Sequence, residues 1–320
     1  MPGRKSQRRR LISSFYQNGA LWGLGNGLVS SSLVVYLANA YGVERGFWTS
    51  LIIATPRLIG VLRLGTPLWI EKVGNPQRFC VRTFLAANLV LLLLPLNSWG
   101  DGENSEAWLA MLVTMWTVYH LFDYFGIVSL WAWIGHAVPS PIRGRFIGRR
   151  LAILNACQVV SMILSGWANI EWRSHCNQVG RPEDIWYGYV LCVCVGALLM
   201  ASAVWPLARA PWLDAKGSQD PTESTGLRQI FAPYGDRVFW RFLHYGAWFS
   251  LSNGIAGTAM FLYRIRVLDI SYGAHLAMDG TSQGIQSIVM PWSGKALDRW
   301  GGVPVLTIAQ VLVALSMVFF

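Results

Sequence analysis

Nine apolar runs, each close to the roughly 20 residues that a bilayer-crossing helix needs, leave this chain little room to fold as a water-soluble globule. They cover residues 15–40, 47–70, 79–99, 108–136, 149–171, 186–208, 238–262, 272–293 and 303–320. In hydrocarbon the backbone must satisfy its own polar groups, so helices and closed barrels are the available solutions. The runs are too long for barrel strands and lack strict alternation, which predicts an all-α integral membrane protein, a polytopic helical bundle. Composition agrees: 53% of residues are hydrophobic and 13% charged, with mean hydropathy +0.38. A soluble domain carries about 25% charge.

The net charge of +10 does not point to nucleic acid, because the basic residues form no single interleaved patch. They fall between the apolar runs. With the N-terminus in the cytoplasm, most of the 26 Lys and Arg residues lie in or beside cytoplasmic segments. Examples are Arg4, Lys5 and Arg8–Arg10; Lys72, Arg78 and Arg82; Arg143, Arg145, Arg149 and Arg150; and Lys295 with Arg299. Trp48, Trp99, Trp108, Trp172 and Trp186 then gather at the outer span ends as an interfacial belt. The expected location is the plasma or inner cell membrane, multi-pass. The basic start and Ala38-Asn39-Ala40 share the outline of a signal peptide, but the length of the run and the spans after it favour a retained first helix.

A polar stretch near 210–236 separates six runs from three. The expected organisation is a basic N-terminus (1–14), a six-helix half (15–208), a linker (209–237) and an incomplete second half of about three helices (238–320). Leu227 to Phe242 could form an interfacial helix. The last run stops at Val318-Phe319-Phe320, so the pattern predicts a second half cut short, with a non-transporting fragment as the alternative reading.

Two copies of a short signature follow the second and eighth runs. The first reads Pro67-Leu-Trp-Ile-Glu71-Lys72-Val-Gly74 and the second Gly294-Lys-Ala-Leu-Asp298-Arg299-Trp-Gly301. An acidic group at a helix end can pair with a neighbouring helix and hold one conformation closed, while Gly permits close approach and a tight turn. A polar loop that merely obeys the charge rule is the competing reading.

These residues resemble the major facilitator superfamily of secondary transporters, whose G-x-x-x-D-R/K-x-G signature follows the second span and recurs after the eighth. The second copy here matches through Gly294, Asp298, Arg299 and Gly301; the first departs, with Pro67 for Gly and Glu71 for Asp. Pro139 to Gly148 is similar to the R-G-R-x-x-G stretch that many members carry between spans four and five. The resemblance implies pseudo-symmetric halves, a gating role for Glu71, Lys72, Gly74, Gly294, Asp298, Arg299 and Gly301, and alternating-access transport of a small solute, possible with proton coupling. A monomer is expected.

Ionisable groups at bilayer depth cost at least a few kcal/mol each and are functional candidates by default. Arg57 stands about ten residues, or roughly 15 Å, into the second span. His120 and Asp123 in the fourth share a face, at similar depth, so an Arg57–Asp123 pair is geometrically open. Either Asp123 or His120 exchanges a proton or contacts solute while Arg57 tunes it, or the three form a static network that packs helices. Asn26 and Ser30, Asn155 and Gln158, Asn253, and the stripe Asp279, Gln283, Gln286 are softer candidates, with helix–helix hydrogen bonding the preferred reading. Arg63 lies nearer the cytoplasmic end and can snorkel.

No G-x-x-x-x-G-K-S/T loop occurs and Cys80, Cys157, Cys176, Cys192 and Cys194 show no metal-ligand spacing, so no cofactor and no metal are expected. An intramembrane metalloenzyme built on His120-x-x-Asp123 lacks the third and fourth ligands that a metal normally takes. The chain is not expected to be an enzyme. Its substrate is not encoded.

Overall fold

The computed structural model describes residues 2–29, 46–99, 105–211 and 232–318. Among these, every regular element is a helix and none is a strand. In chain order the main elements are α1 (Pro2–Leu28), α2 (Gly46–Leu58), a 3-10 segment (Ile59–Gly65), α3 (Thr66–Val73), α4 (Pro76–Leu93), α5 (Ser105–Ala137), α6 (Ser140–Val179), α7 (Trp186–Ser202), α8 (Val204–Ala208), α9 (Arg237–Arg266), α10 (Tyr272–Trp300) and α11 (Gly302–Val318). The second part of the first expected span, including Ser30 and the Ala38-Asn39-Ala40 site, lies outside the described residues, as does most of the expected linker.

Local chemistry starts and stops these helices. The Asn75 side chain accepts from the Arg78 N–H at 3.1 Å with Pro76 at the first helical position, Asp236 accepts from Val238 N–H at 2.8 Å, and Ser271 from Ala274 N–H at 3.3 Å. Gly74 and Gly180 end α3 and α6 in the left-handed conformation, φ 68° and 73°, where a Cβ is penalised. The second expected span is broken rather than continuous. Pro56 inside α2, then Gly60, Gly65 and Pro67, interrupt regular α-helical hydrogen bonding between Leu58 and Thr66.

Five helical stretches are long and apolar enough to cross a membrane: Ser50–Val73, Pro76–Leu96, Glu106–Ala137, Ser140–Val179 and Trp186–Ala208. Nine were expected. Of the other four, α9 and α10 have 30 and 29 residues but carry Arg, His, Asp and amide groups along them, and α11 is apolar but shorter. The described part of the first, α1, begins with five basic residues. Leu89, Ile163, Leu191 and Val303 stand on the outside with more than half their surface free. An apolar exterior over several long apolar helices is compatible with a protein embedded in a membrane.

The helices approach on small residues. Gly23 and Gly27 of α1 lie so close to α6 that a Cβ on Gly23 would strike the Leu154 carbonyl and one on Gly27 the Ser161 hydroxyl. Gly25, on another face, touches α7, where an added Cβ would come within 2.5 Å of the Gly196 carbonyl oxygen. In lipid, where hydrophobic drive between helices vanishes, such backbone contact supplies the dispersion energy of association. Two clusters fill the interior: Leu91, Leu109, Leu112, Trp116, Met162 and Leu276 in one, Leu11, Phe15, Phe84, Leu130, Trp133 and Leu207 in the other.

Candidate functional site

Helix α6 spans 40 residues, about 60 Å, twice the thickness of the hydrocarbon core. It runs alongside α10, and at the end of the bundle where α6 begins and α10 finishes the two backbones touch. A Cβ on Gly144 would strike Asp298 Oδ1 and lie 2.7 Å from the Gly294 carbonyl oxygen; one on Gly294 would strike the Gly144 carbonyl; one on Gly148 would lie 3.2 Å from the Gly294 Cα. Into this gap Asp298 extends its carboxylate. Oδ1 accepts from the Gly144 N–H at 2.7 Å and Oδ2 from the Arg145 N–H at 2.8 Å. Both lengths are those of charge-assisted bonds. Gly301 ends α10 at φ 81°, its N–H donating to the Leu297 carbonyl at 3.0 Å. Arg299 is exposed.

The first signature copy lies at the end of α3. Glu71 and Lys72 are exposed at the end of α3, and Lys72 Nζ stands 5.0 Å from the Trp69 ring centroid. Gly74 donates to the Ile70 and Glu71 carbonyls at 2.9 and 3.0 Å. Gly74 thus ends α3 in the left-handed conformation.

A second feature lies along the same α10. A cavity of about 320 Å³ opens between α1, α5, α6 and α10, and it gathers Asn26, His120 and Asp279 from the candidates of the sequence, with Gln158, Ser282 and Gln283. His120 sits in aromatic surroundings, its ring 4.3 Å from Trp116, 4.8 Å from Tyr119 and 5.7 Å from Tyr124, and neither of its nitrogens has a hydrogen-bond partner. Asp279 lies 3.5 Å from His275 Nε2. The sequence reading missed Trp116, although Trp116, Tyr119 and His120 at i, i+3 and i+4 form one visible helical stripe.

Three other candidates stand apart. Asp123 is 4% exposed, its Oδ1 has no hydrogen-bond partner, and it does not line the cavity. Arg57 is exposed and donates to the Gly254 carbonyl of α9 at 3.3 Å instead of meeting Asp123. Helix rotation, which depth alone does not fix, turns it outward. Gln286 donates to Ser282 Oγ at 3.4 Å. Arg63 folds back on the Gly60 carbonyl at 3.0 Å and lies 4.2 Å over the Tyr124 ring.

One buried charge went unnoticed as such. Arg150, counted from sequence among loop charges, is 5% exposed inside α6; its Nη2 donates to Asn18 Oδ1 at 2.9 Å, and Asn18 Nδ2 donates to the Ala203 carbonyl at 3.0 Å. The chain of bonds ties α6, α1 and the α7–α8 junction together. Among the described residues no group of three or more His, Cys, Asp or Glu could hold a metal ion.

Compared with known families, with curated proteins and with solved structures, the chain matches none. Its class therefore rests on its own residues: a helical protein with several helices able to span a membrane.

Proposed function

We propose that this chain is a secondary transporter of the major-facilitator type, moving a small solute across a cell membrane by alternating access of two helical halves, with its N-terminus in the cytoplasm. On this reading α1–α8 belong to one half and α9–α11 to the other. The observation that carries it is the Asp298 contact with the Gly144 and Arg145 N–H groups, which joins the two halves at one end through a few breakable hydrogen bonds. The polar cavity beneath it, lined from both halves, supports the same reading. A latch that closes one end while a solute site lies between the halves is the minimum equipment for alternating access. Asp123, buried with an unpartnered oxygen, is the proposed proton carrier.

The test needs no substrate. Single cysteines at Asn26 and Ser282, in a background with the five native cysteines replaced, are exposed to membrane-impermeant maleimide in right-side-out and inverted vesicles. Labelling of the same positions from both faces is expected. Labelling from one face alone would refute alternating access.

A further inference from the structure

We infer that the groove between α1, α4 and the α7–α8 segment binds one acyl chain of an anionic phospholipid, whose phosphate lies against Arg82 and Arg209 in the leaflet at the end where α1 begins. The inference rests on the membrane placement of the proposed reading and not on transport.

The groove has a volume of about 790 Å³ and opens on the outside of the bundle, where Leu85 is 42% and Trp205 60% exposed. Ala20 and Ala201 contribute no more than a methyl group each, which leaves the space, while Leu21, Val81, Leu85 and Trp205 give it apolar surface. Of its lining side chains, Gln17 brings an amide and Ser202 a hydroxyl, and that hydroxyl already donates to the Leu199 carbonyl at 2.7 Å. A polar solute would give up hydration there for little in return, whereas a hydrocarbon chain has no hydrogen bonds to lose.

Charge selects among apolar occupants. Helices α1, α4, α7 and α8 contain no Asp or Glu. Gln77 Nε2 donates to the Leu207 and Ala210 carbonyls at 2.8 and 2.9 Å, so the first turn of α4 meets the end of α8. Asn18 Nδ2, donating to the Ala203 carbonyl, brings α1 to the same junction. Toward that end each element carries arginine on its groove side. Arg78 precedes Val81 by three residues and Arg82 precedes Leu85 by three, a spacing that shares a helix face. Arg10 precedes Gln17 by seven, about two turns. Arg209 follows Trp205 by four, with its guanidinium 3.9 Å over the indole ring. A guanidinium held on a ring face keeps its planar N–H fork for a phosphate. Apolar surface that ends in arginines, on helices without a carboxylate side chain, complements a lipid with a negative headgroup; basic sites between membrane helices take such headgroups. On the proposed orientation this end faces the cytoplasm, the side where anionic lipids set the surface potential.

The experiment is native mass spectrometry of the full chain released from nanodiscs of equimolar phosphatidylglycerol and phosphatidylcholine. Retention of one phosphatidylglycerol in preference to phosphatidylcholine is expected. Arg82→Gln and Arg209→Gln, both at exposed positions, are each expected to lower that preference about fivefold, the worth of one arginine at an anionic lipid surface. Arg181→Gln, exposed near the opposite end of α7, is expected to leave it intact. Benzoylphenylalanine in place of Leu85, irradiated in native membranes, is expected to yield a phospholipid adduct. No preference for phosphatidylglycerol, an equal loss in Arg181→Gln, or an adduct with a polypeptide overturns the inference. Lipid retention with one-sided cysteine labelling would keep this site and remove transport; no lipid preference with two-sided labelling would do the reverse.

Discussion

Replacing Asp298 by Asn perturbs the contact between α6 and α10 while conserving its shape. The carboxylate now accepts from two backbone N–H groups, at 2.7 and 2.8 Å. Asn has one oxygen, so one bond survives without its ionic component and the amide NH2 is pushed against the other N–H. A hydrogen bond to a charged group is worth about 1.5–3 kcal/mol. Arg145 is exposed while Gly144 is buried, so the lower part of that range applies to the pair of changes, about 2 kcal/mol. At roughly 1.4 kcal/mol per tenfold, the closed-to-open ratio should fall about thirtyfold. Spin labels on Arg9 of α1 and Lys295 of α10, both exposed at this end, report it through pulsed dipolar distances. Wild type is expected to be dominated by the closed distance and Asp298→Asn by a longer one. A lowered melting temperature with an unchanged distance distribution would mean that Asp298 is a static brace, and the latch argument would fall.

Two further substitutions probe the buried polar groups. Asn18→Ala removes the acceptor of the Arg150 guanidinium and should destabilise the fold by about 2–3 kcal/mol, whereas Asn18→Asp, which keeps an acceptor, should cost less; equal losses in thermal unfolding would contradict a role in satisfying the charge. Asp123→Asn keeps one oxygen and the side chain's shape and replaces the other oxygen by NH2 at a site where Oδ1 has no hydrogen-bond partner, so stability should hold to within about 1 kcal/mol while proton-driven uptake into proteoliposomes is lost; uptake that keeps its pH dependence would remove Asp123 from coupling.

Hydropathy located the long apolar helices because length and composition are properties of a single segment. Contacts between segments are not. The stretch around Gly144 and the one around Gly294 and Asp298 were each legible as motifs, yet nothing in either says that they touch across 154 residues of sequence. The same limit explains Arg57: its depth matched that of Asp123, but a helix of known depth can still face any direction, and this one faces Gly254. Arg150 shows the opposite error. Loop charge counting assumed that α6 began near residue 149, whereas it begins at Ser140, and the extra turns carry Arg150 into the interior. The glycines of α1 could have been read in advance, since Gly19, Gly23 and Gly27 recur every four residues, the spacing that brings helices together in lipid.

On the proposed transport reading, the cavity and the Asp298 contact are parts of one lever. Asp279, Ser282 and Gln283 occupy one section of α10 and Gly294 and Asp298 another, about 28 Å apart along the axis from Asp279 to Asp298. A helix transmits rotation along its length, so a solute that draws Asp279 and Gln283 toward His120 and Asn26 also changes the angle at which Gly294 meets Gly144. The contact there tolerates little change, because glycine backbones already lie at the limit of approach and two hydrogen bonds of 2.7 and 2.8 Å lengthen quickly with angle. Pro291 stands between the two sections and lacks the N–H that would bond one turn back, which permits a bend at that level. A straight helix would force the two sections to move together; on the transport reading, a bend at Pro291 would let the cavity close before Asp298 lets go. On the proposed transport reading, the order of closing and opening separates a transporter from a leak, and Pro291, between the cavity section and Asp298, would set that order.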